Sequence, residues 1–256
     1  MQYTMPISQR LKKLIKSLHQ KPHREQNGLF VAEGEKLAQE LINSDFVPEL
    51  LVYKESPSRE VIEVIEHYAM EGVPIYSAPK HQFDQLCDTK SPQNILAVVN
   101  VKHHEPDVTK NFVILDGIND PGNVGTIIRT ANWFGFDQIF LGRDCADEYN
   151  PKTVRATMGA IFKSKVIQFY DIHDLITQYF PKHKIFGASL DATKKITEIK
   201  PKSNFGLVFG SESHGISDEI KNILTDSFLI EGKGSSESLN VAVAAGISMF
   251  HFTKFI

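Results

Sequence analysis

The sequence predicts an α/β protein of two domains, the larger one built on a parallel sheet with helices on both faces. Three observations carry this expectation. From Phe112 onward, six compact apolar segments (FVILDGI, QIFLG, KVIQF, KIFGASL, GLVFGSE and SFLIEG) alternate with stretches of helical character. Strands apolar along their whole length are those buried on both faces of a parallel sheet. Glycine-bearing loops follow the first, fifth and sixth of these segments, at the carboxyl ends where such sheets bind ligands. Residues 1–102 carry a shorter alternation of their own, and the stretch from Lys102 to Asp107 has a proline and no apolar period. The expected division is therefore a small α/β domain over 1–102, a linker over 103–111 and a second domain over 112–256.

In the first domain, Ser8 is placed to cap a helix whose Leu11, Leu14, Ile15 and Leu18 share one face, leaving Arg10, Lys12, Lys13 and Lys16 on the others. Leu29 to Ala32 reads as a strand and Glu35 to Ile42 as a helix. Leu50 to Tyr53 and the period through Val61, Ile62, Val64, Ile65 and Tyr68 repeat the pair. Val73 to Tyr76 with a short helix near Phe83 to Leu86 forms a weaker third pair, and Ile95 to Val101 closes the domain as a strand. In the second domain, helices are expected over Gly125–Phe134, Thr153–Phe162, His173–Tyr179 and Glu219–Leu224.

Composition narrows the function classes. The chain has 256 residues, enough for a substantial core in each domain, and no apolar run long enough to cross a bilayer. Its beginning, MQYTMPISQRLKK, lacks an apolar signal core, so a cytoplasmic location without membrane partners is expected. Cys87 and Cys145 stand far apart, and the ten histidines show no metal-ligand spacing, so no metal is expected. Net charge is −3, yet residues 1–24 hold Arg10, Lys12, Lys13, Lys16, Lys21 and Arg24 and no acid. Such a cluster is either a solvated face or a contact for nucleic-acid phosphates.

Common glycine motifs fail. Gly210 to Gly215 continues as Ile216-Ser217, without the lysine that a phosphate-binding P-loop requires. The loop Asp116 to Gly125 contains no GxG, which removes a dinucleotide site, and no GxSxG supports a hydrolase nucleophile. Ser238, at the entrance to the small-residue run VAVAAGISMFHF, reads first as a helix cap. Asn123 likewise reads as a cap, for the helix through Ile127 and Ile128.

Three stretches, DGINDPGNVGTIIRTANWFGF, LVFGSESHGIS and SESLNVAVAAG, resemble in order and spacing the signature motifs of the SpoU/TrmH family of RNA 2′-O-ribose methyltransferases. The intervening CADEYNPKTVRATMGAIFKSKV is similar to the family's linking region, and residues 24–101 resemble, more loosely, an accessory domain that grips structured RNA. The resemblance implies a deep C-terminal trefoil knot, S-adenosyl-L-methionine bound in a bent conformation by the knotted loops, and a homodimer with the site near its interface. It also implies that Asn123, Arg129, Glu212, Ser238 and Asn240 form the catalytic set, with backbone around Gly210, Ile230 and Leu239 holding the cofactor. Arg129 is expected to position phosphate and stabilise the forming alkoxide, since a guanidinium holds its proton too tightly to be an easy base. Glu212 is expected to hold Asn123 or Arg129, while Ser238 and Asn240 orient the ribose or relay its proton. Where the family commonly follows the isoleucine with proline and methionine, this chain has Glu231-Gly232. A structured RNA, ribosomal rather than transfer RNA, is the expected substrate. The competing reading is a non-catalytic RNA-binding or ribosome-assembly protein on the same fold.

Overall fold

The structure, a computed structural model, describes residues 4–256. The chain begins with β1 (Thr4–Pro6), α1 (Gln9–Ser17), α2 (Lys21–Asn27), β2 (Leu29–Glu33), α3 (Glu35–Ile42), β3 (Pro48–Lys54), α4 (Arg59–Met70), β4 (Ile75–Ala78), α5 (Lys80–Asp84) and β5 (Ile95–Asn100). The strands form one sheet in the order β1-β4-β3-β5-β2, with β5 antiparallel to both its neighbours. Ser8 caps α1 as expected, accepting from the Leu11 N–H at 3.3 Å. The apolar face of α1 is sunk in the core through Ile15 and Leu18, against Leu50, Val52 and Phe83 among others. Sequence periodicity passes over α2, whose KPHREQN is polar throughout. It forms because Pro22 suits a first turn and because Gly28 takes the left-handed conformation (φ 64°) that ends a helix.

The second part contains β6 (Phe112–Asp116), α6 (Pro121–Trp133), β7 (Gln138–Leu141), α7 (Pro151–Thr157), β8 (Lys165–Gln168), α8 (Ile172–Tyr179), β9 (Lys184–Ala188), β10 (Phe205–Gly210), α9 (Asp218–Lys221), β11 (Asp226–Phe228) and α10 (Val241–Phe252). The six apolar segments all supply residues to one sheet, ordered β11-β9-β10-β6-β7-β8 with every pairing parallel, although the sixth, SFLIEG, does so only through Ser227 and Phe228, since β11 runs from Asp226 to Phe228. Both faces are covered. Phe112, Phe140, Phe180 and Ile185 pack together on one side, while Phe252 of α10 meets Phe186, Phe205 and Phe228 at ring-centroid separations of 5.4 to 6.0 Å.

Two compact units result: residues 1–102 with 147–162, and residues 103–146 with 163–256. Residues 147–162 were expected to belong wholly to the second domain, yet they pack with the first unit. The reason lies in charge and ring contacts. Arg24, 3% exposed, is ion-paired with Asp147 and donates through Nη1 to the Leu18 carbonyl at 2.9 Å. Arg155 Nη1 lies 3.1 Å from the buried Glu33, and Tyr149 sits 4.5 Å from Phe30, ring to ring. Arg24 is therefore a buried structural residue and not part of a displayed basic face, as its place in the basic run suggested. Burial is the main influence on Glu33 and raises its pKa, against the lowering effect of the Asp88 N–H and Arg155. Glu148 follows the same rule: burial pushes it up to about 7, with Asp147 adding to the rise. Among the described residues no helix is long and apolar enough to cross a membrane.

Candidate functional site

In the second unit the chain runs outward from β6 through β7 to β8, then returns to build β9 and β10 on the other side of β6. Neighbours β6 and β10 therefore mark the place where strand order reverses, and their last residues, Asp116 and Gly210, are register partners. Open parallel sheets bind ligands at this crevice, beyond the carboxyl ends of the strands. Both glycine loops leave from it. The Ser217 N–H donates to Asp116 Oδ2 at 2.7 Å, which ties the second loop to the end of the first strand.

The loop after β10 is a tight turn. Ser211 and Gly215 exchange backbone hydrogen bonds of 3.1 and 2.9 Å, and the His214 N–H donates to Ser211 Oγ at 3.1 Å. Gly210 was expected to let the chain approach a ligand. Its own chain is what comes close: a Cβ there would lie 2.1 Å from the Gly215 carbonyl carbon and 2.3 Å from the Ile216 nitrogen. Glycine at 210 is thus required for the turn that presents Glu212.

Glu212 is where the three motifs meet. Its Oε1 accepts from Asn123 Nδ2 at 3.3 Å, from Asn240 Nδ2 at 2.9 Å and from the Val241 N–H at 3.4 Å. Asn240 Nδ2 also donates to Asn123 Oδ1 at 3.0 Å, closing a three-residue ring. These residues are separated by 89 and 28 positions in sequence, so only the sheet topology assembles them.

The helix caps differ from expectation in an instructive way. The cap of α6 is Asp120, which accepts from the Asn123 N–H at 2.9 Å, followed by Pro121 at the first helical position. Asn123 is thereby already in the first turn, and its side chain is free to reach Glu212. At α10 the cap is Asn240, not Ser238: its Oδ1 accepts from the Ala242 and Val243 N–H groups at 2.9 and 3.3 Å. One side chain therefore caps a helix with its oxygen and closes the ring with its nitrogen.

Arg129 and Ser238 are not drawn into the ring. Arg129 is exposed on α6, about 9 Å further along the axis than Asn123 at 1.5 Å per residue, and has no ion pair among the described residues. Ser238 lies in the exposed stretch 231–240 and likewise has no hydrogen-bond partner among the described residues.

Beyond Leu229, which exchanges backbone hydrogen bonds with Lys194 and Ile196, the backbone groups of residues 230–239 make no hydrogen bond to the chain among the described residues. Ile230 is half-buried and Leu239 exposed, so a row of solvent-facing backbone donors and acceptors lies beside apolar side chains. Glu231 is not left as a bare acid, since Lys195 Nζ stands 2.8 Å from its carboxylate and is held above its ordinary pKa by that hydrogen bond. Lys195, Asp120 and Asp116 are contributors that motif reading passed over. Only Asp120 had a local signal, an aspartate immediately before proline.

Comparison with known proteins agrees with the geometry. Residues 110–250 match the SpoU rRNA Methylase family, and residues 9–97 match an MRM3-like substrate binding domain. The 23S rRNA (guanosine(2553)-2′-O)-methyltransferase RlmP of Bacillus subtilis is 31% identical over 238 residues, covering 92% of this chain and 93% of that one. A putative RNA methyltransferase of the TrmH family from Porphyromonas gingivalis superposes with a TM-score of 0.82 at 30% identity, covering 97% of this chain and 98% of its own. An AdoMet-bound rRNA methyltransferase from Sinorhizobium meliloti gives 0.87 at 25% identity, with 99% of each chain covered. With both the reversed crevice and the three-motif ring in place, the chain belongs to the SpoU rRNA Methylase family.

Proposed function

We propose that this protein methylates the 2′-hydroxyl of a ribose in ribosomal RNA, using S-adenosyl-L-methionine. The observation that carries the reading is the Asn123–Glu212–Asn240 ring at the strand-order reversal, built from the same three motifs that define the family. The non-catalytic alternative gives no reason for two side-chain amides and a backbone N–H from distant segments to converge on one exposed carboxylate oxygen.

S-adenosylmethionine supplies a methyl group on a sulfonium that is already a good leaving group. The chain's work is to align the ribose oxygen behind that methyl and to manage the oxygen's proton. Backbone of Ile230 and Leu239 would hold the cofactor, and the turn that Gly210 permits presents Glu212 to Asn240 and Val241, next to Leu239 in the chain. The ring fixes Asn123, whose remaining Nδ2–H and Oδ1 lone pair orient the ribose, while Asn240, its amide fully engaged, holds Asn123 and Glu212 in place. Arg129 positions the RNA phosphate and stabilises the forming alkoxide, and Ser238 orients the 2′-hydroxyl, whose proton passes to solvent water at this exposed stretch. The Lys195 ammonium offsets Glu231, so the departure at Glu231-Gly232 leaves the cofactor loop electrically balanced.

The homodimer and the knot belong to the same reading. Val243, Ile247 and Phe250 lie at helical spacing on one exposed face of α10, and Phe250 is 62% exposed with Trp133 at 83%. An apolar face of this kind on a folded protein marks an association surface. Pairing of residues 194–196 with Leu229, followed by the return of Phe252 to β9, β10 and β11, supports a knotted path. The first unit serves as the RNA-binding part, and a ribosomal substrate goes with a cytoplasmic location. Incubating the purified protein with methyl-labelled cofactor and ribosomal RNA tests the function: label on a single ribose 2′-oxygen is expected, and label on a base or none at all refutes it.

A further inference from the structure

We infer that the cleft between α1 and α5 binds the sugar-phosphate backbone of the RNA substrate, without regard to base sequence. The inference rests on the RNA reading above and adds where that RNA is gripped. Helix α1 carries Arg10, Lys12, Lys13 and Lys16 and no acid. At about 100° per residue, Gln9, Lys12, Lys13 and Lys16 fall within one arc of roughly 100°, opposite the face that Ile15 commits to the core. Across a cavity of about 250 Å³ this arc faces His81, Gln82 and Gln85.

The charge in this cleft is uncompensated. Lys12 Nζ donates to Gln82 Oε1 at 2.6 Å, a neutral partner, and among the described residues none of Lys12, Lys13 and Lys16 has an ion pair. The acid of α5, Asp84, is engaged by Lys54 at 3.1 Å. Ammonium groups and side-chain amides, without a carboxylate among the lining residues, make a site for anions, and adjacent lysines along a helix match a chain of phosphates better than a single small ion.

A second cavity of about 150 Å³ in the same unit provides a contrast. Its basic residues are already neutralised: Lys36 Nζ lies 2.5 Å from Glu40, and Arg155 is paired with Glu33 and Asp88, each at 3.1 Å. Phosphate contact there has to displace existing ion pairs. Contact at α1 and α5 does not.

The test is binding of a ribosomal RNA fragment to the full chain across 50 to 200 mM salt, for wild type, the triple variant K12Q/K13Q/K16Q and K36Q. At a slope of about 0.9 per phosphate contact, three contacts account for about 40-fold of the affinity lost over that range. The triple variant is expected to bind more weakly at 50 mM and to lower the log–log slope by about 2 to 3, equally for fragments of unrelated sequence; K36Q keeps the wild-type slope. K13Q/K16Q, which leaves the Lys12–Gln82 bond intact, is expected to lower it by about 2 and covers the case in which the triple variant is poorly folded. A wild-type protein that methylates ribosomal RNA while both lysine variants keep its affinity and slope overturns this inference and leaves the function standing. A slope lowered by K36Q instead moves the grip to the second cavity, and a wild type that binds no RNA overturns both.

Discussion

Asn240 has two jobs on one side chain, and they can be pulled apart. Replacing it with alanine removes the oxygen that caps α10 through Ala242 and Val243 and the nitrogen that bonds Asn123 and Glu212. Loss of the cap costs about 1 kcal/mol. For a chain of this size that is a fall of about 2 to 4 °C in melting temperature. Loss of the ring leaves Glu212 only its longer bonds, 3.3 Å from Asn123 and 3.4 Å from the Val241 N–H, and misplacement of that kind costs on the order of 100-fold in the chemical step. Asn240→Ser keeps an N-cap oxygen but has no amide to donate, so it should melt near wild type while remaining about as slow as Asn240→Ala. Asn240→Asp also keeps the cap and is favoured by the helix dipole, yet it sets a second carboxylate against Glu212 and should be slow too. Thermal melting and single-turnover methyl transfer, measured on the same preparations, give the two readouts. If the serine variant recovers the wild-type rate along with its stability, Asn240 is a cap and the ring is not part of the catalytic geometry.

Other consequences are simpler to state. Gly210→Ala should lose cofactor binding measured by calorimetry and melt lower, because its Cβ would fall 2.1 Å from Gly215; unchanged binding would show that the turn tolerates rearrangement. Glu148, raised by burial from 4.5 to about 7, favours its protonated form in the folded chain. Its contribution is fully present below the ordinary carboxylate value and lost as pH rises towards 7, up to about 3 kcal/mol. Urea unfolding at pH 5 and pH 8 should therefore show a loss in wild type that Glu148→Gln largely removes, and an identical loss in the variant would assign it to other groups. Arg24→Ala takes the ion-pair partner from the half-buried Asp147, which keeps only the Tyr149 N–H, and should destabilise the first unit by about 3 kcal/mol, the low end for a broken buried pair, in denaturant unfolding; a change under 1 kcal/mol would mean that water reaches the pair. Phe250→Asp should turn a dimer into a monomer in sedimentation, and a wild type that already sediments as a monomer contradicts the proposed association surface.

How much of this was legible beforehand depended on the range of the interaction. The inner strands β6, β7, β9 and β10 were plain because burial on both faces makes each a nearly unbroken apolar run, whereas the edge strands β8 and β11 leave most of their residues exposed or half-buried and β11 begins at Asp226. Helix α1 and its cap were equally plain, since Ser8 and the Leu11-Leu14-Ile15-Leu18 face lie within one local stretch. Caps two or three residues away were harder. Aspartate, asparagine and serine all accept from a first turn, so Asn123 and Ser238 were as good as Asp120 and Asn240 by type alone. Pro121 could have decided the first case, as a residue suited to the position just after a cap. Nothing local marks Asp147 as the partner of Arg24, 123 positions away, and so the membership of residues 147–162 in the first unit was invisible. The site fell between these limits. Its residues were readable as motif positions, while their meeting at Glu212 required the order of β6 and β10 in the sheet.

The central claim is that the ring at that reversal serves methyl transfer to a ribose of ribosomal RNA. Mapping 2′-O-methyl groups on ribosomal RNA from cells with and without the protein tests it most directly. One ribose is expected to lose its methyl group in the deletion and regain it when the RNA is incubated with purified protein and S-adenosylmethionine, but not with the Asn240→Ser variant over the same time. An unchanged methylation map, together with no binding of the cofactor in the presence of RNA, would contradict it.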